Sequence, residues 1–151
     1  MRRKDREKDA AFALDVLKSS EYATLATTNP DGTPYCIPIS FCLADNTIYF
    51  HCATEGKKLD NIKQNNAVCL SCVRYTKLLP EQFTTEYESA VVMGKCEIVS
   101  NETEKIMALR AICEKYAKNN MSGFDVMIEK SLHRTCVCRI SIEMITGKAN
   151  I

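Results

Sequence analysis

Gly56-Lys57-Lys58 is the stretch of this sequence whose residue types ask most plainly for a ligand. The residues from Gly56 through about Asn65 read as a short helix, so the two lysines fall in its first turn. There the free N–H groups already carry positive potential, and a cation is disfavoured by roughly 0.3–1 kcal/mol. An anion at that terminus removes the conflict, because backbone donors and ammonium groups then converge on one negative charge. A phosphate answers both facts; a pair of solvated lysines on a surface turn is the plain alternative.

The remaining reactive residues say less on their own. His51 closes a strand shortly before the loop to Gly56, a place that often faces ligands, although a lone histidine is more commonly structural. His133 lies between a polar loop and the last strand with no visible partner. The nine cysteines cannot all pair, and with no secretory signal they are expected to be reduced thiols. Cys69 and Cys72 have half a zinc-site spacing, but no second pair completes it. They also sit in a strand-like run, where residues three apart face opposite ways. Burial as small apolar side chains is the better reading, and no metal is expected. No Ser/His/Asp order, paired carboxylates, GxGxxG or Walker loop is present, and five glycines leave little room for a glycine-rich phosphate loop.

The elements that must position these residues follow from periodicity. An amphipathic helix is predicted over Arg3 to Lys18, with Ala10, Ala13, Leu14 and Leu17 as its stripe. Strands are predicted over Tyr22–Thr28, Thr33–Leu43 and Thr47–Cys52, the first two joined by the Asn29-Pro30-Asp31-Gly32 turn. Pro34 and Pro38 confine the second to an edge, a bulge, or a place where a ligand meets unpaired backbone. After the short helix come strands at Val68–Arg74 and Tyr87–Val99, separated by a stretch from Tyr75 to Glu86 without clear period. Asn101 and Glu104 form a capping box for a helix with the stripe Ile106, Leu109, Ile112, Cys113 and Tyr116. In the final strand Cys136, Cys138, Ile140, Ile142 and Met144 alternate with polar residues, which predicts one buried face. Six strands with helices between the later ones predict an α+β, mainly β domain, an antiparallel barrel, spanning 1–151.

Composition narrows the function classes. The formal net charge is +1 and 26% of residues are charged. No global field favours nucleic acid or a membrane surface. The mixed-charge opening runs into no apolar segment and nothing reaches membrane-spanning length, so a cytoplasmic protein is expected.

Two segments carry a resemblance. Asp31-Gly32-Thr33-Pro34-Tyr35-Cys36-Ile37-Pro38-Ile39-Ser40-Phe41, followed by Ile48 to Asp60, resembles the FMN-binding split barrels of the pyridoxamine 5'-phosphate oxidase-like family. It is most similar to the 5-nitroimidazole-resistance branch, with patterns of the form DGxPYxxPxxF and YFHxAxxGxK. The opening Arg2 to Glu7, the run Tyr87 to Gly94 and Thr146-Gly147-Lys148 fit the same branch. The resemblance implies a six-stranded split barrel that binds FMN between the two subunits of a homodimer. It implies that the backbone of Ile37, Pro38, Ile39 and Ser40 lines the flavin ring and that His51 and Cys52 sit beside the cofactor. Lys57 and Lys58 would hold the phosphate, and Ser89 and Lys148 would make further contacts. His51 matches the active-site histidine of the branch and is the catalytic candidate. Oxidation of pyridoxamine phosphate is not expected, because Ile37 stands where those oxidases carry an arginine and their C-terminal substrate motif does not follow.

The expected function is therefore FMN-dependent reduction of small electron-poor aromatics such as 5-nitroimidazoles. NAD(P)H would bind only transiently, since no dinucleotide fingerprint is visible. The alternative is a non-catalytic protein of the same fold that binds or senses a flavin or haem, with His51 as an axial ligand.

Overall fold

The computed structural model of the chain describes residues 2–151. The strands are β1 (Glu7–Lys8), β2 (Ala23–Thr28), β3 (Pro34–Ile39), β4 (Phe41–Ala44), β5 (Thr47–Ala53), β6 (Ala67–Leu79), β7 (Thr84–Ile98) and β8 (Thr135–Asn150). Helices α1 (Ala10–Ser19), α2 (Lys57–Gln64), α3 (Glu102–Tyr116) and α4 (Phe124–Ser131) lie between them. All pairings are antiparallel, in the order β3-β2-β6-β7-β8-β5-β4, with β1 added beside β8.

The two ends of that order are consecutive in the chain, separated by Ser40 alone. One run of chain pairs with β2 before Ser40 and with β5 after it, so the sheet curls closed upon itself. With β3 and β4 counted as this single strand and the two-residue β1 set aside, the eight strands become the six of a split barrel. Leu25, Phe50, Leu70, Val92, Cys138 and Ile140 fill its interior from five strands, all fully buried. Burying each of the larger aliphatic and aromatic side chains stabilises the fold by roughly 1.5–3 kcal/mol before conformational entropy is set against it. A second core lies outside the barrel, where Ala108, Leu109 and Ile112 of α3 and Phe124 and Ile128 of α4 cover Cys42, Tyr49 and Val137. Arg139 of β8 fastens α3 there. It donates to both carboxylate oxygens of Glu104, at 3.0 and 2.9 Å, and to Glu97 on β7.

Three sequence expectations change. The first helix begins at Ala10 rather than Arg3, because Asp9 takes the cap position and accepts from the Phe12 N–H at 2.8 Å. Residues 2–9 include no apolar side chain to hold an earlier turn, and Glu7–Lys8 pairs with Lys148 and Gly147 instead. The stretch from Tyr75 to Glu86 is the far end of a β6–β7 ribbon turning at Pro80–Phe83. It projects past the core with both faces largely open, which is why no buried period marks it. The face of the last strand breaks after Ile142: Met93 pairs with Met144 but Gly94 with Ile142, so Glu143 is an extra residue. That bulge reverses the parity of β8, leaving Met144 exposed and turning Ile145 toward the core. A side chain at Gly94 would meet the Ser141 carbonyl oxygen at 2.0 Å, so the close approach at the bulge requires glycine.

Candidate functional site

The turn after β2 sets the position of α2. Gly32, at φ 84°, completes it, and Asp31 accepts from both the backbone and hydroxyl of Thr33, which lowers the Asp31 pKa. Asn29 in the same turn accepts from the Asn61 side-chain amide at 3.1 Å, and Thr27 accepts from that amide at 3.0 Å. Asn61 is 1% exposed. A buried amide with two partners fixes the rotation of α2 about its axis and aims its first turn.

That first turn is open. Gly56, at φ 139°, occupies the cap position without a capping side chain, and nothing lies within 4 Å of where its Cβ would be. Lys57 Nζ stands 4.9 Å from the centre of the Tyr35 ring on β3, and Lys58 is half-buried beside Cys52. β3 has a neighbour, β2, on one side only, so its other edge presents main-chain groups with no strand partner. Ile37 and Ile39 direct their side chains into the barrel core, so what they offer a ligand at that edge is backbone. Pro38 is exposed, and its missing N–H falls on an edge strand, as its type demands. The donors present, two lysines and an uncapped helix terminus next to an open strand edge, suit a phosphate-bearing group whose flat portion lies along β3.

His51 and Cys52 occupy opposite faces of β5. Cys52 points inward, while His51 is accessible in a cleft of about 480 Å³ under α3 and α4. Leu109, Ile112 and Met127 form the apolar part of this cleft, and Arg134 and Ser131 its polar end. Desolvation by these walls lowers the His51 pKa from its usual 6.5. Ser40, at the far end of β3, lines a different cavity with Tyr22, Lys115 and Tyr116.

Ser89 and Lys148 are directly paired on β7 and β8, with the Ser89 hydroxyl donating to the Lys148 carbonyl at 3.4 Å. They are not brought to the same place as His51 within one chain. His51 faces Val137 on β8, eleven residues before Lys148, or about 36 Å of strand contour. Beside Lys148 the Tyr87 hydroxyl is buried without a hydrogen-bond partner among the described residues, with Lys148 Nζ 5.4 Å from its ring centre.

Sequence reasoning missed Asn61, Tyr35 and Arg134, whose contacts depend on strand pairing and helix docking. It also missed a trio of thiols, Cys52, Cys136 and Cys138, whose sulfur atoms all lie within 4.8 Å of one another. Cys136-x-Cys138 on one face of a clear strand was the available signal. Cys69 and Cys72 do fall on opposite faces, Cys72 inside the barrel core.

A model of the pyridoxamine 5'-phosphate oxidase family matches residues 9–149. The chain belongs to that family. Among solved structures of this family's fold, a proposed 5-nitroimidazole antibiotic resistance protein from Bacteroides thetaiotaomicron is 26% identical. Its TM-score is 0.80, with 94% of this chain and 84% of that chain covered. An FAD- and haem-binding protein from Mycobacterium smegmatis has a TM-score of 0.80 at 18% identity, covering 96% of this chain and 73% of that one. The flavocytochrome Anf3 from Azotobacter vinelandii has a TM-score of 0.78 at 19% identity, covering 100% and 72%. The latter two share the fold with this pyridoxamine 5'-phosphate oxidase family member. No curated protein sequence matches the chain. Among the described residues, no helix is long and apolar enough to cross a membrane.

Proposed function

We propose that this protein is a homodimeric FMN-dependent oxidoreductase that reduces small electron-poor aromatics of the 5-nitroimidazole kind. The observation that carries the reading is the uncapped start of α2, with Lys57 and Lys58 beside the open edge of β3. A flavin supplies the electrons there. The chain's own part is to hold the phosphate with Lys57, Lys58 and the α2 N–H groups, and to offer the backbone of Ile37 to Ser40 along the ring. His51, accessible in its cleft, is the proton donor to the reduced substrate, and Cys52 flanks the cofactor.

Ser89 and Lys148 belong to the same site only if a second copy contributes them, since they stand some eleven residues of strand away from the His51 level. An open apolar row on the outer sheet face, including Val91, Met93 and Met144, supports such a pairing. A protein that binds flavin or haem without turnover is the second reading, favoured by the open imidazole of His51 beside apolar walls. The absorption spectrum of the purified protein separates flavin from haem, and anaerobic reduction of a nitroaromatic panel separates enzyme from carrier.

The phosphate clamp has its own test. Charge-assisted hydrogen bonds are worth roughly 1.5–3 kcal/mol each. The double change Lys57→Ala/Lys58→Ala is therefore expected to weaken FMN binding at least about tenfold and to leave riboflavin, which lacks the phosphate, almost unaffected. Titrations of both ligands on both proteins read this directly, and equal losses for the two would move the phosphate elsewhere.

A further inference from the structure

Cys52 lies directly across from Cys136 in the β5–β8 ladder, and Cys138, two residues on, shares their face. The three sulfurs are already within 4.8 Å of one another. An ion bonded at about 2.3 Å to each of three sulfurs sets them about 3.8–4.0 Å apart, so the trio needs to close by less than about 1 Å. Two adjacent, fully paired antiparallel strands hold the array, and its buried neighbours Phe50 and Ile140 are apolar. Cys96, across from Ile140 on β7, extends the row of thiols beyond Cys138 but stands outside the trio.

We propose that Cys52, Cys136 and Cys138 form a three-thiolate site for a thiophilic divalent cation of the d10 class, such as zinc. Thiolate sulfur selects such ions over hard cations, which prefer oxygen. On binding, the three thiols release three protons to solvent and the cation takes their place, leaving one net negative charge. Lys58 lies on the Cys52 side and offsets that charge. Cys52 is the half-buried member and stands last but one in β5, so the trio lies at the open end of the strand pair, which gives the ion a way in and leaves a fourth position open to a solvent ligand. The site borders the proposed flavin site, with which it shares Cys52 and Lys58, but Cys136 and Cys138 have no part in that reading.

The probe is cadmium alone, titrated into the reduced full-length protein and followed by thiolate-to-metal charge-transfer absorption. The expected result is saturation at one equivalent per chain. Cys138→Ser should weaken binding at least about tenfold, whereas Cys36→Ser and Cys69→Ser, on the outer face, leave it unchanged. A second readout needs no variant: bound cadmium should slow alkylation of Cys52 and not of exposed Cys36, measured by peptide mass spectrometry. Unchanged affinity in Cys138→Ser, loss of the signal in Cys36→Ser or Cys69→Ser, or protection of Cys36 in place of Cys52 would each overturn the proposal. Neither readout involves turnover or flavin, so failure here is distinct from failure of the oxidoreductase reading.

Discussion

His51 combines accessibility with a pKa held below its usual 6.5 by desolvation, and the two together give a signature in pH. Between the lowered folded value and about 6.5, the unfolded chain binds more protons at this residue than the folded one does. Stability should therefore fall as pH is lowered through 6.5 and level off below the folded value, a decline that His51→Gln removes. If His51 donates the proton, kcat/KM for nitroaromatic reduction should rise over the same interval as the acid form fills, and lie flat in His51→Gln. A profile that rises equally in both proteins would take His51 out of the chemistry. At this scale the sequence was readable where a residue conflicts with its immediate neighbours: Lys57 and Lys58 do fall in the uncapped first turn of α2, where cations are disfavoured. Asn61, Arg134 and the Cys52–Cys136–Cys138 trio gave no such warning, because each acquires its meaning from a partner more than thirty residues away or from a helix packed over it.

The helix α2 is only eight residues long, below the length at which a helix is stable in water by itself, so its place depends on what holds it. Leu59 and Ile62 bury against the barrel and Asn61 joins it to the β2–β3 turn. Asn61→Ala removes both hydrogen bonds and leaves the Thr27 hydroxyl with only its 3.4 Å donation to the Tyr35 carbonyl, at a cost of about 1–3 kcal/mol for the two bonds together. It should lower the thermal midpoint and weaken FMN and riboflavin together, since Asn61 also holds the turn that leads into β3, and its loss moves the β3 edge proposed for the ring as well as the first turn of α2. That pattern differs from the phosphate-selective loss expected for the lysines, and an FMN-only loss would contradict it. Elements with one buried face, such as β2, β5 and α3, were legible because burial imposes a period on the sequence. The outer β6–β7 ribbon has no buried face and so no period. The β8 bulge escaped notice because one extra residue at Glu143 leaves the sequence alternation intact while exchanging the two faces of the strand.

Across the whole molecule, the outer surface of the sheet is where polar coverage fails. Met93 and Met144 face each other across β7 and β8, with Val91 and Val73 nearby, all at least 38% exposed. The proposed homodimer, with an interface of standard size, roughly 1,600 Å², would cover such a row. On the proposed homodimer with a shared flavin site, Met93→Lys should shift sedimentation at micromolar concentration toward the monomer and release FMN at the same time. A monomeric variant that keeps its FMN would separate assembly from cofactor binding. The barrel itself was foreseeable from strand count and order, but its closure was not, since nothing in the residues around Ser40 says that one strand will serve both edges. The placement of β8 has a temporal consequence. This strand, made after the other seven, pairs with β1, β5 and β7, so neither wall of the barrel has its neighbour until residues 135–150 arrive. During synthesis the earlier hairpins emerge with bare edges and must wait. Closure of the barrel is thereby postponed until residues 135–150 have been made, and until then the nascent strands are open to chaperones and to mispairing.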